Sequence, residues 1–171
     1  RTIKRWSFGP NGENLHTTTS ELAHDKDINT LAVAPNDRLI ASGSQDKTVR
    51  LFNADTLESV AVMKGHRRGV WKVAFSPVDK CIASASADKT LRIWSATDFT
   101  CLKVFEGHVT SVLQVDFVNS GMQLLSTASD GSVRLWTVKT GECVNTFDEK
   151  HEGPVWSLEV LPDGKRFLTG A

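Results

Sequence analysis

The sequence contains no tyrosine, only two methionines and three cysteines, and its 20 basic and 20 acidic side chains leave no net charge over 171 residues. The charge balance argues against a surface dedicated to a polyanion, and no apolar run approaches the roughly 18 residues that a membrane-crossing helix needs. The opening stretch Arg1-Thr2-Ile3-Lys4-Arg5-Trp6 is not followed by the apolar segment of a signal peptide, so the chain reads as soluble and intracellular. Cys81, Cys101 and Cys143 form neither a paired extracellular framework nor a close metal-binding pair, and reduced thiols are expected. Hydrophobic residues make up 40% of the chain, enough for a substantial core.

The informative feature is repetition. Histidines stand at 24, 66, 108 and 151, spaced by 42, 42 and 43 residues, and aspartates at 46, 88 and 130 repeat at 42. Each of these aspartates is followed six residues later by Phe52, Trp94 or Trp136. A period of about 40 to 45 residues fits one four-stranded propeller blade. The segments between markers read as short strands bounded by Gly, Asn, Asp, Ser and Pro turns. Inner strands are expected near 28–34, 70–76, 111–118 and 155–161, second strands ending near 44, 86 and 129, and third strands ending at the aromatic residue. Outer strands are expected around 57–63, 101–105 and 143–147.

Apolar residues of the inner strands fall at 28, 31 and 33, and again at 70, 73 and 75, 112, 115 and 117, and 155, 158 and 160. Strict alternation would give steps of two, so the shared step of three predicts a bulge near the start of each strand. The bulge is expected to expose Asn29, Trp71, Leu113 and Trp156. Arg1 to Phe8 resembles a third strand ending at Trp6, residues 15–20 a fourth, and Lys165 to Thr169 a second. The organisation is therefore a half-blade at 1–22, blades at about 24–64, 66–106 and 108–149, and a half-blade at 151–171. Two readings stay open: an arc belonging to a longer propeller, or a small ring closed by pairing the end hairpins.

With these residues in place, the sequence resembles the WD-repeat family of β-propellers. The likeness rests on Gly65-His66 and Gly107-His108, on Ser42, Ser84 and Ser126, on Asp46, Asp88 and Asp130, and on Phe52, Trp94 and Trp136. The family's final aspartate is replaced by Asn53, Ser95 and Thr137, and Ala23-His24 and Lys150-His151 depart from the glycine–histidine pair. The resemblance implies an all-β fold in which histidine, aspartate, serine and tryptophan form a hydrogen-bonded chain within each blade. That chain is complete for His66, Asp88, Ser84 and Trp94 and for His108, Asp130, Ser126 and Trp136. It is shorter for His24, Asp46 and Ser42, because Phe52 has no donor. The trio imitates a hydrolase triad, but its recurrence points to structural use, and no catalytic residue, metal or cofactor is expected.

The resemblance further implies a partner-binding face at Asn29, Gln45, Trp71, Ala87, Leu113, Ser129 and Trp156. For Trp71 and Trp156 the alternative is plain core packing. Lys64, His66, Arg67, Arg68 and Lys72 form the densest basic cluster, while the recurrent Arg50, Arg92 and Arg134 read as solvent-side strand residues rather than an RNA surface. The runs Ala23-His24-Asp25-Lys26-Asp27-Ile28-Asn29 and Gly65-His66-Arg67-Arg68-Gly69 are similar to the transducin-beta-like, processome-associated branch of the family. That narrower likeness implies a non-enzymatic nucleolar scaffold. Its partners would be protein subunits of the small-subunit processome, with precursor ribosomal RNA or small nucleolar RNA only indirect or peripheral. The alternative is a generic WD-repeat peptide-binding adaptor in another nuclear or cytoplasmic complex, such as a ubiquitin ligase or chromatin complex.

Overall fold

The computed structural model describes residues 1–9, 15–147 and 151–171. Strands β1 (Thr2–Phe8) and β2 (Leu15–Leu22) form a two-stranded antiparallel sheet. Three four-stranded meanders follow. The first blade is β3 (Ile28–Val33), β4 (Leu39–Ser44), β5 (Thr48–Asn53) and β6 (Ser59–Lys64). The second is β7 (Val70–Phe75), β8 (Cys81–Ser86), β9 (Leu91–Ser95) and β10 (Cys101–Phe105). The third is β11 (Val112–Val118), β12 (Gln123–Ala128), β13 (Val133–Thr137) and β14 (Cys143–Thr146), and the hairpin β15 (Ser157–Val160) and β16 (Phe167–Gly170) ends the order. No helix among the described residues is long and apolar enough to cross a membrane.

The inner strands β3, β7, β11 and β15 pack successively side by side, so the sheets radiate from one axis. Among the described residues the end hairpins are not joined in one sheet, no closure into a ring is observed, and Trp6 is 52% exposed. Three strands, β6, β15 and β16, begin two residues later than the repeat predicts. Asn53 Oδ1 accepts the backbone N–H groups of Asp55 and Thr56, and the turn runs on through Leu57 at φ 59° before β6 begins. Asp163 Oδ1 likewise accepts the amides of Lys165 and Arg166, which keeps both residues in the turn and out of β16.

Apolar burial is concentrated at the seams between sheets. Trp94 from the second blade shares a buried cluster with Val49, Leu51 and Met63 of the first, and Trp136 from the third shares one with Leu91, Ile93 and Phe105 of the second. Phe52 fills the corresponding place with Ile3, Ala23 and Leu57. The aromatic residue ending each third strand is thus a wedge against the preceding sheet, and the 42-residue period repeats that wedge. The turn after each second strand carries a positive φ at Lys47, Lys89 and Gly131. At 131 a side chain is also sterically excluded, because a Cβ there would lie 2.1 Å from the His151 carbonyl oxygen.

Candidate partner-binding rim and the network beneath it

Each repeat histidine is held by a hydroxyl 18 positions later, and His24 and His66 are held also by an aspartate 22 positions later. His66 Nδ1 lies 2.8 Å from Asp88 Oδ2, its Nε2 lies 2.8 Å from Ser84 Oγ, and Trp94 Nε1 donates to the same Oγ at 2.8 Å. An indole N–H can only donate and a carboxylate can only accept, which sets the direction of the relay. The indole donates to the serine, the serine hydroxyl donates to Nε2, and Nδ1–H donates to the aspartate.

The third blade repeats Trp136 Nε1 to Ser126 Oγ at 2.8 Å and Ser126 to His108 Nε2 at 2.7 Å. There the structure corrects the expected last step. His108 makes no direct bond to Asp130; its Nδ1 lies 3.3 Å from Ser132 Oγ, and Ser132 donates to Asp130 Oδ1 at 2.6 Å. In the first blade His24 contacts Asp46 at 2.8 Å and Ser42 at 2.6 Å, and Phe52 supplies no donor. Thr48 and Thr90 donate to Asp46 and Asp88, so a hydroxyl two residues after each aspartate belongs to every network. That hydroxyl is visible in the repeat but was not among the residues predicted.

Burial sets the electrostatics of these groups. Burial lowers the His108 pKa to about 4, aided by Arg134 and opposed only by the charge of Asp130. Burial also lowers that of His24, despite its bond to Asp46. Burial alone would raise the Asp46 carboxyl, yet hydrogen bonds from Thr48 and His24 bring it down to about 2. Asp88 is held well below the carboxylate range in the same way, its burial outweighed by His66 and Thr90. Ser42, Ser84 and Ser126 are fully buried with their histidines. Their hydroxyls are bonded inside a seam that no substrate reaches, a fastening arrangement and not a nucleophile's. A cleft of about 550 Å³ at the opposite rim, lined by Phe75 at the end of β7 and by turn residues such as Pro35, Pro77 and Asp79, contains none of these groups. Among the described residues no three His, Cys, Asp or Glu side chains gather as a metal site, and Cys81, Cys101 and Cys143 are free.

The Gly-His pair has a steric cause. A Cβ at Gly65 would lie 3.1 Å from Trp94 Cη2, and one at Gly107 would lie 3.1 Å from Trp136 Cη2. The first repeat departs at both ends together, with Ala23 beside Phe52, whose single ring leaves room for the methyl group. Phe52→Trp alone is expected to cost about 1–3 kcal/mol by overpacking. With Ala23→Gly added, the indole gains both space and the Ser42 hydroxyl, and urea unfolding should show a favourable coupling of about 1–2 kcal/mol. Additive single effects would refute the compensation. Lys150, the other departure, lies outside the described residues.

The predicted bulges occur in three inner strands, where the register slips between Ile28 and Thr30, Val70 and Lys72, and Val112 and Gln114. In the last hairpin Trp156 precedes β15, and its N–H donates to Gly170 O. The side chains at these positions diverge. Trp156 is 57% exposed and meets the half-buried Trp71 edge-on, ring centroids 6.4 Å apart, and Trp71 Nε1 is buried without an acceptor. Leu113 is only 3% exposed, contrary to expectation: its strand β11 is flanked by β7, which carries Trp71, and by β15, which Trp156 immediately precedes. Asn29 is half-buried and its Nδ2 donates to Val70 O at 2.7 Å, a tie to the second blade. Gln45 is half-buried against Gly69, and Ala87 and Ser129 are half-buried with their backbone N–H groups donating to Gly69 O and Ser111 O. Gln114, not predicted, donates to Trp156 O at 2.7 Å. The open part of the rim is therefore the Trp71–Trp156 pair.

The recurrent arginines also differ from expectation. Arg92 and Arg134 are half-buried, with Nε atoms that have neither solvent nor acceptor, because each guanidinium lies against the glycine of its Gly-His pair.

The family described as WD domain, G-beta repeat matches residues 12–53, 57–95, 99–137 and 141–171. The chain belongs to the WD40 family. A WD40 domain is a non-catalytic protein-interaction scaffold, in keeping with seams that use up the histidines and serines. Among curated relatives, Transducin beta-like protein 3 of Homo sapiens is 52% identical over 51 residues, which is 30% of this chain and 6% of that protein. The Rattus norvegicus protein of the same name is 54% identical over 51 residues, again 6% of its length. U3 small nucleolar RNA-associated protein 13 of Saccharomyces cerevisiae is 42% identical over 68 residues, 36% of this chain and 8% of that protein. The WD40 chain thus corresponds to a small part of each relative.

Proposed function

We propose that this WD40 chain is a non-enzymatic scaffold that joins protein subunits of the nucleolar small-subunit processome, using the rim at Trp71 and Trp156 as its anchor. The half-blade 1–22, the blades 24–64, 66–106 and 108–149 and the half-blade 151–171 serve as one presenting unit. Precursor ribosomal RNA and small nucleolar RNA associate through the assembly. The observation that carries this reading is the edge-on contact of exposed Trp156 with half-buried Trp71, on a rim whose other predicted positions are tied into the fold. Aromatic anchors of that kind dominate protein interfaces. The nucleolar part draws on the likeness to proteins named for transducin beta and for U3 small nucleolar RNA.

Affinity capture with the tagged chain from nuclear extract tests both parts. Processome proteins with small nucleolar RNA are the expected catch, lost in the Trp71→Ala/Trp156→Ala variant while its far-ultraviolet spectrum stays unchanged. Recovery of ubiquitin-ligase or chromatin subunits instead would identify a generic adaptor.

A further inference from the structure

Equivalent positions of the three blades differ where the fold does not demand it. In the first blade Asp25 follows the repeat histidine, and Arg50 Nη2 lies 3.8 Å from Asp25 and 3.8 Å from Asp46 while its Nε donates to Thr48. The second blade has Arg67 in place of Asp25 and retains Arg92 in place of Arg50. This reversal of charge leaves Arg92 without a carboxylate. Its Nη1 rests 3.6 Å from Cys101 Sγ, its guanidinium carbon lies 5.7 Å from the centre of the Trp94 ring, and its Nε has no acceptor.

Arg67, Lys89 and Arg92 line a single cleft of about 260 Å³ between the second and third blades. None of the three has an ion pair among the described residues. Of the two acids beside them, Asp88 already accepts from His66, Thr90 and the Arg67 backbone, and Glu106 is an exposed side chain at the lip. In the third blade the matching positions are Val109 and Gly131, so Arg134 has no cationic company there.

We propose that this cleft binds the phosphate monoester of a phosphorylated serine or threonine on a protein partner, which rests on the scaffold reading above and gives that scaffold a second, modification-dependent contact. Two guanidinium groups and an ammonium outnumber the Asp88 and Glu106 carboxylates of the cleft and supply the N–H donors that a phosphate dianion needs, and arginine forks pair with its oxygens bidentately. A single phosphate fits better than a nucleic acid. A polyanion is tracked by a row of cations, whereas in the first blade Arg50 is paired with Asp25, in the third only Arg134 of the three cations is kept, and the chain has no net positive charge.

The probe is N-acetyl-O-phosphoserine N-methylamide, titrated into the full chain and followed by backbone amide shifts. Saturable shifts at Arg67, Lys89 and Arg92 are expected, and Arg92→Gln should weaken binding about 10-fold or more. Arg67→Asp restores the acid that the first blade uses, so it should abolish binding while leaving the melting temperature equal or higher. Absence of saturation below about 10 mM overturns the proposal. So does equal binding of the unphosphorylated serine probe. Equal binding of inorganic sulfate would mean an adventitious ion only, and tighter, Arg92-dependent binding of a short oligouridylate would assign the cleft to nucleic acid. Either result also overturns it. The capture experiment depends on Trp71 and Trp156, so its failure with phosphoserine binding intact sinks the scaffold reading, and the converse sinks this site alone.

Discussion

Trp136→Ala lowers the unfolding free energy by about 3–5 kcal/mol, the range for deleting a large buried aromatic residue. Three contributions converge at this position. The indole is 1% exposed in the seam between the second and third blades, it meets Phe105 edge-on with centroids 5.9 Å apart, and its Nε1–H satisfies the buried Ser126 hydroxyl. Trp136→Phe separates them: it retains most of the packing and loses the donor, for an expected loss of about 1–3 kcal/mol. Urea denaturation of both variants measures the pair. A phenylalanine variant as unstable as the alanine one would assign the whole effect to the hydrogen bond, and an unchanged one would remove the bond from the account.

Acid should destabilise the fold in two separate stages. His108 has a folded-state pKa of about 4, below its ordinary 6.5, so the unfolded chain takes up a proton that the folded chain refuses. Its contribution is complete above about pH 6.5 and is lost as pH falls toward about 4, a difference on the order of 3 kcal/mol. Asp46 acts lower down: its carboxyl is depressed from 3.8 to about 2, so its contribution is present above 3.8 and lost as pH falls through about 2. Unfolding free energies measured between pH 7 and 4.5 should fall in the wild-type chain and fall less steeply in His108→Gln. The shallower slope is the diagnostic, because the variant's lower starting stability affects all pH values alike, and His24 still supplies part of the dependence. Parallel pH profiles would show that His108 is not held neutral by the fold.

Much of the architecture was legible because its causes are periodic. The wedge at Phe52, Trp94 and Trp136 needs one large ring per seam, and the bulges leave a step of three in the apolar pattern wherever the register slips. What escaped the sequence depends on neighbours that no single repeat contains. Leu113 was expected outside because its repeat position matches Trp71, but its burial is decided by β7 and β15 on either side. The direct His108–Asp130 bond was expected from the family resemblance. The hydroxyl between them occupies the place of Thr48 and Thr90, and which oxygen a ring nitrogen meets is set by side-chain rotation and not by residue count. Arg92 and Arg134 repeat too regularly to be accidental, yet periodicity does not say that a guanidinium lies on the glycine of its own blade.

The central claim is that histidine, serine and tryptophan act together as a seam fastener. A double-mutant cycle of Ser84→Ala and Trp94→Phe, read by urea unfolding, tests it most directly. Because Trp94 Nε1, Ser84 Oγ and His66 Nε2 form one relay with 2.8 Å links, the two losses should fail to add by about 1 kcal/mol or more. Strictly additive losses would mean that the residues stabilise the blade independently, and the relay would have to be given up.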